Sequence, residues 1–207
     1  MNKLKVLLIA LLILSVFGCS TIKVINPGGC GSTPNESTCL GETTIPIEHE
    51  DLFLKASKQA IDIVGSDEFK QALIVFSETN TSNGSHVSAW SRVDVKGIPG
   101  LLMADLQGLE ISTFGGVKGL AAKLFYGTQA KEGDGVGPIL FNRWSLKRSS
   151  ASIANTIVHE AAHRIGLSHP SRANNEDVGL CEPPYVIGSL IEKQIEGSNW
   201  KPKGHCS

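Results

Sequence analysis

The chain has 207 residues, with 19 Lys and Arg against 20 Asp and Glu and a formal charge of −1. So even a balance, with no basic stripe anywhere, excludes the electrostatic footprint of a nucleic-acid binder. Beyond its N-terminal segments the chain is long enough for one domain with a real core, and no internal repeat divides it.

Residues 1–18 read as an export signal: Lys3 and Lys5 provide a positive start, and Val6 to Phe17 form an apolar run too short to count as a transmembrane helix. The run ends in Val16-Phe17-Gly18-Cys19, which resembles a bacterial lipobox. That resemblance implies cleavage before Cys19 and its lipidation, and several acyl chains at about 0.8 kcal/mol per buried methylene would hold the protein stably at a membrane. Ser20 after the cysteine, by resemblance to Gram-negative sorting signals, favours the outer membrane. An ordinary secretory signal with a chance cysteine is the plainer alternative. Residues 19–48 then read as a flexible tether, since Pro27, Gly28, Gly29, Gly31, Ser32, Thr33, Pro34, Asn35 and Gly41 leave little to bury. With Cys19 assigned to lipid, an even set remains in an exported chain: Cys30, Cys39, Cys181 and Cys206. Of the three possible pairings, Cys30–Cys39 and Cys181–Cys206 close short loops and are favoured. No C-x-x-C pair suggests a cysteine-ligated metal.

The domain is expected over 49–207. Asp51 to Val64 carries Leu52, Phe53, Ala56, Ala60, Ile61 and Val64 at helical spacing. Ala72 to Phe76 reads as a buried strand, Glu78 to Ser85 as a polar loop turning at Asn83-Gly84, and His86 to Val95 as a second strand. Leu101 to Ile111 and Val117 to Phe125 suggest helices separated by Gly115-Gly116. Val136 to Trp144 suggests a strand just ahead of a third helical stretch, in which Ser149 or Ser150 caps and Ile153, Ile157, Val158, Ala161, Ala162 and Ile165 recur at helical spacing. Pro170 to Asp177 is loop-like. Pro184 then starts a last helix through Ile187, Leu190, Ile191 and Ile195.

On the third helix and its exit lies His159-Glu160-Ala161-Ala162-His163-Arg164-Ile165-Gly166-Leu167-Ser168-His169. Read as H-E-x-x-H-x-x-G-x-x-H, it fixes more residues at set spacings than a bare H-E-x-x-H and is far harder to meet by accident. His159 and His163 stand one turn apart on one helical face, so both imidazoles can reach one metal ion. Gly166 can take the left-handed conformation that ends a helix, letting His169 return to the same ion. Three imidazoles and an open position make the catalytic form of a zinc site; a closed structural site would use four protein ligands.

These eleven residues resemble the zinc-binding signature of the metzincin metallopeptidases. The resemblance implies His159, His163 and His169 as ligands of one catalytic Zn2+, Glu160 as general base and Gly166 as the turn. It also implies an α+β, zincin-like fold with a mixed β-sheet, an active-site helix and a small C-terminal subdomain. The family has a methionine-containing turn beneath its metal, whereas the only methionines here are Met1 and Met103, both upstream. Cys181 to Gly188, as a rigid apolar bend, is the best replacement. Some metzincins place a tyrosine in that turn, which makes Tyr185 a candidate oxyanion partner beside its plainer reading as a buried structural residue. In zincin folds a strand near Val136 to Trp144 lies along the cleft and pairs with extended substrate, against the plainer reading of a core strand.

Other readings stay open. A carboxylate, Glu176, Asp177 or Glu182, is the alternative third ligand. His49, His86 and His205 read as surface residues, and Arg164 as one half of a surface ion pair. The expectation is a monomeric, lipid-anchored zinc metalloendopeptidase acting on a peptide or protein. The alternatives are a hydrolase of cell-wall peptides and a zincin-fold lipoprotein that only binds.

Overall fold

The structure, a computed structural model, describes residues 23–24, 45–82, 90, 93–127, 129–131, 137–169 and 181–197. The signal segment and Cys19, Cys30, Cys39, Cys206, His86, His205, Glu176 and Asp177 lie outside them, and with them both expected disulfide pairings and the lipidation. Among the described residues no helix is long and apolar enough to cross a membrane.

The architecture is α+β, with a small mixed sheet and predominantly helices. Its sheet has the order β1-β2-β4-β3: β1 (Lys23–Val24), β2 (Glu110–Phe114), β3 (Ala130–Lys131) and β4 (Ile139–Asn142). β2 and β4 run parallel with Ile111 opposite Ile139, β3 runs antiparallel to β4, and β1 adds two residues parallel to β2 from within the expected tether.

Around it, among the described residues, stand the helices α1 (Ile47–Val64), α2 (Asp67–Ser82), α3 (Ile98–Leu106), α4 (Gly116–Tyr126), α5 (Ser150–Arg164) and α6 (Pro183–Glu196). α1 buries Phe53, Ala56, Ala60 and Val64 along one face, the spacing that amphipathicity requires. Phe53 meets Phe141 of β4 edge to face at 4.9 Å, which ties the helical layer to the sheet. α5 is buried almost all round, through Ala151, Ile153, Ala154, Ile157, Val158, Ala161 and Ala162, and packs most extensively on α6 and then on α1. It is the axis of the domain. Ser149 caps it by accepting from the Ser152 N–H at 3.1 Å, as expected.

Several expectations are corrected. The run Ala72 to Phe76 is helical, and so is the expected loop from Glu78 as far as Ser82. A short apolar run has no periodicity of its own, and the flanks decide it: Ser66 Oγ accepts from the Phe69 N–H, Asp67 and Glu68 sit in the first turn, and Leu73 is buried while Val75 is 58% exposed. Ser77 and Thr79 return their hydroxyls to the Ile74 and Val75 carbonyls, so polar side chains continue the helix. The described end of the expected His86–Val95 strand is a turn, closed by the Gly97 N–H on the Asp94 carbonyl. α3 begins earlier and stops at Leu106, because Gly108 takes a positive φ of 79° and redirects the chain into β2. β4 is buried along its whole length and paired on both sides, so the core-strand reading holds. Cys181 to Gly188 is not a bend beyond its first two residues, since Pro183 and Pro184 start α6.

α6 lies close on α5 because Gly188 has no side chain: a Cβ there would stand 3.0 Å from the Asn155 carbonyl oxygen and closer still to its amide. Gly188→Ala is expected to destabilise the domain by about 1–3 kcal/mol through overpacking, read as a lowered melting temperature by circular dichroism; an unchanged melting temperature would show that the two helices separate freely.

Candidate metal centre

The last turns of α5 place His159 and His163 one above the other, with ring centroids 5.0 Å apart and planes near perpendicular. The helix ends in a Schellman turn. The Leu167 N–H reaches the Ala162 carbonyl at 3.0 Å, the Gly166 N–H reaches the His163 carbonyl at 2.9 Å, and Gly166 takes φ 94°. A non-glycine residue is strained at that dihedral. Three residues later His169 is back beside the helix, 4.5 Å from His163 and 5.2 Å from His159 between ring centroids. One ligand nitrogen from each ring lies within 4.8 Å of the others, close enough for a single metal ion to bind all three.

Each imidazole has its other face or nitrogen engaged. His163 Nδ1 lies 2.8 Å from the Leu167 carbonyl and therefore donates to it, which leaves Nε2 as the lone-pair nitrogen. His169 Nδ1 lies 2.7 Å from Glu182 Oε2, a side chain 4% exposed. The Pro184 carbonyl accepts from the His159 ring. A carbonyl or carboxylate on the far nitrogen is the arrangement that selects the tautomer and aims a ligating histidine. Burial, with the added influence of His163 and His169, pushes the His159 pKa down to about 3, so its ring is neutral at ordinary pH. Three imidazole nitrogens suit a borderline-soft cation such as zinc, and among the described residues no thiolate joins them.

Glu160 follows His159 on α5 and is buried. Tyr185, in the first turn of α6, stacks on His169 at 4.5 Å and 28° and sits 4.6 Å from His159. Its reading as a buried structural residue is corrected: it is 38% exposed, at the rim of the histidine cluster. Glu182, weighed above as a ligand, instead contacts the outward nitrogen of His169. Arg164 forms the expected ion pair, but partly buried instead of at the surface: its side chain, 9% exposed, reaches both carboxylate oxygens of Asp105 at 2.9–3.0 Å and the Gly137 carbonyl at 2.7 Å, anchoring the end of α5 to α3. His49 is half-buried on α1, away from this cluster. A cleft of about 370 Å³ beside Asp105, Glu110, Gly137 and Arg164 contains none of the three histidines.

The engagement of Glu182 and Pro184 had one local signal, an acid and two prolines shortly before an apolar helix. Nothing in that pattern says which side chain the acid meets. No family model, curated protein or solved structure matches the chain.

The depressed His159 pKa fixes a pH dependence for the metal-free protein. The unfolded chain takes up a proton near pH 6.5 that the folded chain refuses until about pH 3, so this contribution to stability is fully present above pH 6.5 and is lost as pH falls towards 3. Melting temperatures of metal-free protein across that range should fall with pH, and less steeply in His159→Gln; equal slopes would place the loss elsewhere.

Proposed function

We propose that the protein is a zinc-dependent peptidase of the zincin type, with a metzincin-like metal site. The observation that carries this reading is the convergence of His159, His163 and His169 with Glu160 adjoining them on α5. Zinc held there would lower the pKa of a water towards neutrality and polarise a peptide carbonyl. His159, His163 and His169 would hold the ion, each through one ring nitrogen. Glu160 accepts the proton that the attacking water loses and passes it to the leaving amine nitrogen, which returns the carboxylate to its starting state. Tyr185 donates a hydrogen bond to the oxyanion, from a ring already stacked on a ligand. An extended substrate pairs with β3, the outer antiparallel strand among the described residues, because β4 is occupied on both sides. In this reading the chain is exported and lipidated at Cys19, a reading supported by the apolar N-terminal run and its cysteine.

Glu160→Gln is expected to keep its zinc and to cleave an unfolded casein-like substrate about 10²–10⁴-fold more slowly, measured by single-substrate turnover beside metal analysis. Wild-type turnover in that variant would remove Glu160 from the reaction. A wild-type protein that cleaves cross-linked peptidoglycan peptides and spares casein would move the substrate class to the cell wall.

A further inference from the structure

Cys181 to Pro184 crosses directly beside the histidine cluster and is itself held. The buried Trp90 donates its indole N–H to the Cys181 carbonyl at 2.9 Å. Glu182 is the N-cap of α6, and its backbone carbonyl accepts the Val186 N–H at 3.1 Å. An acidic side chain at an N-cap ordinarily caps its own helix. This one makes no such bond: the first two helical residues are prolines without N–H groups, and the carboxylate turns to His169 Nδ1 at 2.7 Å. Two residues on, the Pro184 carbonyl meets the His159 ring. A single four-residue segment thus engages two of the three imidazoles.

Burying the Glu182 side chain to 4% exposure is unfavourable unless a strong partner compensates. The geometry places the His169 imidazole against this carboxylate at 2.7 Å. The same imidazole bound to a dication becomes a far stronger donor, and the carboxylate in turn raises the basicity of the ligating nitrogen. We infer that Glu182 is a positioning residue of the metal centre, which aims His169 by a hydrogen bond to its outer nitrogen. This rests on the metal-binding reading of the three histidines, and it assigns Glu182 no contact with substrate.

The test is zinc affinity of the full chain by competition with a chromophoric chelator, together with the visible absorption of the cobalt-substituted protein. Wild type should bind one zinc. Glu182→Gln keeps an acceptor but no charge and should weaken binding about 10-fold, and Glu182→Ala nearer 100-fold, with shifted cobalt bands. If Glu182 merely staples the loop, both variants melt earlier without metal yet match the wild-type zinc affinity and cobalt spectrum, which would overturn the inference. Should Glu182→Ala fail to fold, the glutamine variant decides on the same criterion. A wild-type chain that binds no zinc would instead overturn the metal reading itself.

Discussion

Three imidazoles can share one point only if each has its second nitrogen or its ring held elsewhere, because a free ring rotates about two side-chain bonds and offers either nitrogen. Here the restraint is built from three oxygens: the Leu167 carbonyl for His163, the Glu182 carboxylate for His169 and the Pro184 carbonyl for His159. The first is local to the Schellman turn, and the other two come from the start of α6. The geometry of the centre is therefore the geometry of the α5–α6 contact.

That contact explains much of the remaining fold. α5 supplies two of the three clustered imidazoles from its last turns, so its axis must be fixed against rotation, and burial on nearly every side does this. Gly188 lets α6 approach, Asn155 Nδ2 donates to the buried Glu192 across the pair at 2.7 Å, and Arg164 pins the end of α5 to Asp105. The sheet contributes less directly. Through Phe141 on Phe53 it orders α1, against which α5 rests. Burial of the His159 ring, which disfavours its protonated form, makes the cluster uncomfortable at low pH and receptive to a cation at neutral pH.

Much of the centre was legible in the chain itself, because it is made locally. His159 and His163 are set by the helical repeat, and Gly166 and His169 by the way a helix ends, so an eleven-residue pattern contains the geometry. α1, α4, α5 and α6 were likewise readable from spacing and caps. α2 was not, since five apolar residues fit either a strand or a helix and the deciding cap, Ser66, is a single side chain. β2 was hidden by its continuity with α3, broken only at Gly108. Contacts between residues distant in the chain left no trace: Arg164 looked like a surface cation because Asp105 is 59 residues away, and Glu182 looked like a competing ligand because its partner was unknown.

X-ray absorption at the zinc edge of the loaded, full-length chain most directly tests whether the three rings meet on one ion. The expected spectrum carries the multiple-scattering signature of three imidazoles, with one further oxygen, all at about 2.0–2.1 Å. A first shell with fewer than three imidazoles, or one containing sulfur, would contradict the shared site.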